Sequence, residues 1–222
     1  SDNTGIGKNA LLVFTGSNAV AVGSGAADAA TSATELTAVG YNALGACTEG
    51  LSNTAVGEAS FGTLVGTGSS AGTGGDHNCG IGGSAGYATT GSRNTYVGHY
   101  AGVYASTTDD CVAVGKSALG GVTGDRVTGN YNIAIGNYAL DATTSGYSNV
   151  AIGHNAGTAI TTGVFNTAVG ESALGTDDGL RNTAIGDAAL NANCASDNTS
   201  VGNYALNVFT GGSATAVGSS AA

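Results

Sequence analysis

Val or Ile stands before a glycine in thirteen recurring copies of one motif along this chain, and in eleven of them a β-branched residue and a small residue come first. The glycines are Gly7, Gly23, Gly40, Gly57, Gly82, Gly98, Gly115, Gly136, Gly153, Gly170, Gly186, Gly202 and Gly218, at spacings of 16, 17, 17, 25, 16, 17, 21, 17, 17, 16, 16 and 16. With each glycine as position 0, the repeat reads Asn-Thr-Ala-Val/Ile-Gly-x-x-Ala-Leu. Position −1 is Val or Ile in every copy, and position −3 is β-branched in all but one, where Cys79 stands. Position −2 is small except at Tyr96, and position +3 is Ala except at Ser60.

Alternation with period two predicts a strand. Positions −3 and −1 share one face, and their β-branched chemistry predicts that this face is the buried one. The small residue at −2 faces the other way. Its stripe predicts either a close packing surface for neighbouring chains or a filling for a narrow roll interior. Gly at 0 turns the chain out of the strand. Ala at +3 and Leu at +4 predict a second short strand, and the Gly, Ser, Thr, Asn and Asp that follow are turn residues.

One repeat is then one coil of an all-β, parallel β-solenoid, with about 13 coils of 16–17 residues. Coils stacked about 4.8 Å apart would make a rod of about 60 Å. The repeat covers residues 1–222 as a single domain, and the two long spacings predict coil insertions near 63–75 and 120–129. The structural ladder is expected in Val56, Val97, Val114, Ile135, Ile152, Val169, Ile185 and Val201. A second ladder is expected where Asn fills −4, in Asn132, Asn149, Asn166, Asn182 and Asn198 as in Asn3, Asn53, Asn78 and Asn94. Each amide there is expected to bond to the next coil, as in cross-β packing. So thin a core sets little burial against the entropy of ordering each coil, which points to association between chains.

Composition narrows the function classes. There are 40 Gly and no Pro, Met or Trp, and charged residues make up 9% of the chain. So many glycines exclude a helical bundle, and the missing proline excludes collagen. Five Lys+Arg against fifteen Asp+Glu give a net charge of −10. That leaves no basic face for nucleic acid. No apolar run is long enough for a membrane span, and no signal peptide is apparent. A start at Ser1 with no Met anywhere suggests a processed product or a segment of something longer.

The copies Asn166-Thr167-Ala168-Val169-Gly170-Glu171-Ser172-Ala173-Leu174 and Asn182-Thr183-Ala184-Ile185-Gly186-Asp187-Ala188-Ala189-Leu190 resemble two related groups. These are the YadA-like head of trimeric autotransporter adhesins and the repeat shaft of phage tail fibres. The resemblance spans nearly the whole chain. It implies a left-handed parallel β-roll assembled as a homotrimer, with adhesion or receptor contact and no catalysis. The longer period, and Ala where the adhesin pattern favours Ser after the Gly, lean towards the fibre type. The expected setting is extracellular, on a cell surface or virion fibre. Neither end of the chain carries a polar cap, which suggests either a piece of a longer fibre or head-to-tail stacking into a filament.

The remaining candidate chemistry is sparse. Cys47, Cys79, Cys111 and Cys194 have no Cys-x-x-Cys spacing, so zinc is not expected. Cys79 and Cys111 are too far apart in register to pair, and the four are read as candidate disulfide partners between chains or stacked subunits. His77, His99 and His154 lie on separate coils and are expected in solvent. Asp109-Asp110 and Asp177-Asp178 could hold Ca²⁺, although solvated turn acids are the simpler reading. The stretch Gly66–Gly75 lacks the Gly-Lys-Ser/Thr of a phosphate loop. Asn198-Thr199-Ser200 is a glycosylation sequon, but Asn198 belongs to the ladder. A cell-surface glycan or receptor is the expected external partner, through turns carrying Tyr87, Tyr104 and Tyr147. An ice-binding solenoid is a rival class, because Thr fills −3 in eight copies; exchange with Val20, Val112, Val150 and Ile133 suggests instead that this slot is buried. No cofactor, metal or catalytic residue is expected.

Overall fold

The computed structural model describes residues 2–64, 75–122, 125–176, 178–192 and 194–222. Most of the insertion near 63–75 (with all of the Gly66–Gly75 stretch but Gly75), two positions of the one near 120–129, and Asp177 therefore lie outside the described residues. The chain is a parallel β-solenoid, and no helix occurs among the described residues.

Its contacts group into two compact units, residues Ser1–Cys111 and Val112–Ala222. The first holds β1 (Thr4–Ile6), β2 (Val20–Val22), β3 (Thr37–Val39), β4 (Thr54–Val56), β5 (Cys79–Ile81) and β6 (Thr95–Val97). The second holds β7 (Val112–Val114), β8 (Ile133–Ile135), β9 (Val150–Ile152), β10 (Thr167–Val169), β11 (Thr183–Ile185), β12 (Thr199–Val201) and β13 (Thr215–Val217). Within each unit, consecutive strands pair in parallel and without slippage, so Thr37 faces Thr54 and Thr167 faces Thr183. The register is the same on either side of both long spacings: Thr54 pairs with Cys79, and Val112 with Ile133.

The strands are three residues long, yet bonds between coils continue beyond them. The Leu44 N–H donates to the Ser60 carbonyl, and Leu174 N–H to that of Ala189. The +3/+4 segment is thus laddered but is not the second strand expected from the sequence. Positions +2 and +4 are left-handed even without glycine: Ser172 has φ 53° and Leu174 φ 51°. A strand would carry this segment straight on. Alternating left-handed residues fold it back over the strand it has just left, while its N–H and C=O groups still point along the stack.

That fold-back decides which side of the strand is inside. Ala38, Ala55, Ala134, Ala151, Ala168 and Ala184, all at −2, are fully buried. The −1 and −3 residues on either side are half-buried or exposed. The expectation of inward Val, Ile and Thr is corrected, and so is that of −2 as a surface for other chains. The reason is distance: a Cβ added at Gly5 would stand 3.4 Å from the Ala10 carbonyl oxygen across the coil. One methyl fits there and an isopropyl group does not. The interior is completed by Ala at +3, by Leu44, Leu119, Leu140, Leu174 and Leu190 at +4, and by Asn at −4.

Tyr96 breaks the small-residue rule and is still fully buried. Space comes from neighbouring +4 slots, where glycine replaces Leu. A Cβ at Gly86 would strike the Phe61 ring, and one at Gly102 would lie 2.9 Å from that of Tyr96. Phe61 and Tyr96 pack with centroids 6.1 Å apart, and the Tyr96 and Thr108 hydroxyls share a 2.8 Å hydrogen bond. Burial pushes the Tyr96 phenol well above its ordinary pKa.

Candidate functional site

The feature most open to a partner is the face the coil turns outward. In each unit, −3 and −1 form two in-register rows built from Thr, Val and Ile, with Cys79 as the exception. Ile81, Ile135, Ile152 and Ile185 expose 43, 38, 39 and 41% of their surface. Val56, Val97, Val114, Val169 and Val201 are half-buried on the same rows. Neither row carries a charged residue in any coil. Charges are carried instead on the flanks, at +1 (Lys8, Glu58, Lys116, Glu171, Asp187) and at −5 (Glu35, Arg93, Asp110, Arg181, Asp197). Cys79 is likewise outward and half-buried, correcting its expected inward placement, and Thr at −3 is not in a buried slot.

The Asn row runs inside each unit. Asn53, Asn78, Asn94, Asn132, Asn149, Asn166, Asn182 and Asn198 are buried. Each Oδ1 accepts the backbone N–H of the −4 residue one coil on: Asn149 N–H at 3.0 Å from Asn132, Asn166 N–H at 2.9 Å from Asn149, Asn198 N–H at 2.8 Å from Asn182. Each Nδ2 donates to a turn carbonyl of that next coil, as Asn149 does to Gly163 at 2.8 Å. Cys111 occupies this slot in its own coil, and its N–H bonds Asn94 at 3.0 Å.

The acidic turns are tied to neighbouring coils. Asp178 Oδ1 accepts the N–H groups of Thr161, Thr162 and Gly163 at 2.7, 2.8 and 2.8 Å. Its Oδ2 accepts the Thr161 and Thr162 hydroxyls at 2.6 and 3.0 Å. Asp178 is therefore an anion in a nest of donors, neither a cation ligand nor a solvated acid. Partial burial raises its pKa, but the Thr161 hydroxyl and the three N–H groups outweigh this and hold it below the usual value. Asp109 accepts the Ser92 N–H at 2.7 Å. Asp110 pairs with Arg93 at 2.7 and 2.9 Å, and Asp197 with Arg181 at 2.6 and 2.9 Å.

Asp178→Asn should cost about 1–3 kcal/mol at neutral pH, because an amide brings donors to a site that already holds five. The sign of the pH effect follows from the depressed folded-state pKa. Stabilisation by Asp178 is complete above about pH 4, the unfolded value, and is lost as pH falls through the lower folded one. Urea melts from pH 7 to pH 2 should show wild type and variant converging at the acid end. A gap constant across that range would contradict the nest.

Cys47, Cys111 and Cys194 are buried, and none of the four cysteines is in a disulfide. Cys79, half-buried, is the most accessible of the four. Burial, with Asp76 nearby, pushes the Cys47 thiol up to about 12. His77, His99 and His154 are exposed; His154 lies 3.6 Å from Glu171, and its ring meets Tyr138 edge-on at 6.3 Å. Among the described residues, no group of three His, Cys, Asp or Glu side chains could hold a metal ion, and no helix is long and apolar enough to cross a membrane. Tyr87 and Tyr147 are exposed, and Tyr104 is half-buried. Phe165, which the sequence reading passed over, lies edge-on to Tyr147 at 5.3 Å. Its signal was in view: a bulky aromatic in a −5 slot usually held by small or polar residues. Compared with protein-family models, curated proteins and solved structures, the chain matches none.

Proposed function

We propose that this chain is a structural and adhesive fibre segment that self-associates, as a homotrimer, through its outward β-branched rows. The observation behind this reading is a continuous, uncharged, half-exposed ladder of Val, Ile and Thr in each unit. Exposed apolar surface of that regularity marks interaction sites. A chain carrying −10 repels copies of itself least where charge is absent, and these rows are such a place. Symmetric closure about an axis would bury the rows of all copies at once. The reading assigns the chain to the outside of a cell or virion and gives it no catalytic role.

Light scattering should give a particle of about three times 21.1 kDa. Ile152→Lys/Ile185→Lys should reduce it to a monomer, since both side chains are already outward and their loss leaves the coil interior intact. Cys79, the accessible thiol, should react with maleimide more slowly in the assembly than in the monomeric variant. A wild type that stays monomeric at high concentration, with Cys79 equally reactive in both, would overturn the proposal.

A second reading, an ice-binding face, has one specific observation in its favour. The Thr side chains at −3 are accessible and in register, as at Thr167, Thr183 and Thr199. A monomer that shows thermal hysteresis, lost in Thr183→Lys, would establish it instead.

A further inference from the structure

We propose that an aromatic-edged cleft in the second unit binds an uncharged saccharide. The inference deepens the adhesive reading by giving it a site, and it concerns a different edge of the coil from the self-association rows.

Tyr131, Tyr147 and Phe165 stand on three successive coils of that unit and expose 59, 42 and 52% of their surface. Beside them lies a cleft of about 300 Å³ lined by Thr128, Gly129, Asn130, Tyr131, Ser145 and Tyr147. Hydrophobic burial does not account for these rings, since they face water. Backbone preference does not either. Tyr131 and Phe165 sit at φ 61° and 59°, where Asn, Asp or Gly is at ease and a bulky ring is not. The other left-handed residues at this slot, Asn18, Glu35, Ser52, His77, Arg93, Asp110, Ser148, Arg181, Asp197 and Ser213, are all polar or charged. Two rings thus occupy costly positions while staying more than half exposed.

The chemistry of the cleft selects the ligand class. A pyranose presents a face of C–H bonds and an edge of hydroxyls. The faces of Tyr131 and Tyr147 suit the first, and the polar groups of Thr128, Asn130 and Ser145 suit the second. The cleft is at the lower end of the usual range for small-ligand sites, so it takes about one or two sugar rings. None of the six lining residues is charged, and the chain as a whole is strongly acidic. Both facts disfavour uronic or sialic acids and favour a neutral glycan.

The test is affinity electrophoresis of the whole chain through native gels containing mannan, dextran, galactan or xylan, with alginate as the anionic probe. The emission of tyrosine, unmasked because the chain has no Trp, gives a solution titration with the matching oligosaccharide. We expect retardation by at least one neutral polymer. Tyr147→Ala and Tyr131→Asn should each weaken it about tenfold, the loss of one ring contact. Asn is at ease with the left-handed backbone at 131, so the second variant should keep or raise the melting temperature. Tyr41→Ala, which removes a ring exposed elsewhere, should change nothing. Retardation by alginate alone, by no polymer, or equally in the Tyr131→Asn/Tyr147→Ala double variant would overturn the proposal. Any of those results leaves the particle mass, and so the self-association reading, untouched.

Discussion

Replacing Gly170 by alanine is expected to cost about 3 kcal/mol or more, a drop of about 6–12 °C in melting temperature. Two costs coincide at this position. Its φ of +135° lies in a region that side chains rarely adopt, and a Cβ there would press into the carbonyl of Gly186 on the next coil. The obstructing atom is backbone and belongs to the identical slot of the neighbour, so it cannot swing aside. Gly23, Gly40, Gly57, Gly136, Gly153 and Gly186 repeat the arrangement, each with the next motif glycine's carbonyl in the way. Gly83 is the internal comparison. It has no positive φ, and its added Cβ would meet only the His99 ring, at 3.2 Å. Gly83→Ala should stay within about 0.5 kcal/mol. Thermal melts followed by circular dichroism separate the two, and equal costs would mean that the glycine ladder is not what sets the coil spacing.

Asn149→Ala should be comparably severe, at about 2–5 kcal/mol in a urea melt. The side chain holds two buried backbone groups of the following coil, the Asn166 N–H at 2.9 Å and the Gly163 carbonyl at 2.8 Å. Alanine leaves both without these bonds in a site closed to water. Asn149→Asp should do no better, because a carboxylate cannot donate to Gly163 and would be a charge buried in the roll. Asn3 makes the same pair of bonds, 3.1 and 3.2 Å, on an exposed coil where water can replace them. Asn3→Ala should therefore cost well under half as much. If the two alanine variants matched, burial would not be the source of the effect.

The tie at Asp178 was not legible in advance. It depends on which turn of the previous coil lies beside residue 178, and turns carry no marked register in the sequence. The strands do carry one. Their glycine and β-branched positions recur at 16–17 residues, and the observed pairings follow them even past the insertions. The compensation around Tyr96 was half legible. Gly86 and Gly102 visibly replace Leu at +4, but that they do so for Tyr96 depends on which slots face each other across the coil.

What the chain determined by itself was the period, the stacking direction and the identity of each slot. Those follow from local rules: alternation makes a strand, glycine ends it, and identical slots seek one another. Which face of the strand lies inside was decided only in three dimensions. Alternation marks two faces without ranking them, and the general pull of β-branched residues towards a core points to the wrong one. The coil closes through left-handed residues at +2 and +4, which bring its far wall within one methyl of the strand. Alanine and asparagine fit that gap. Valine, isoleucine and threonine are turned outward.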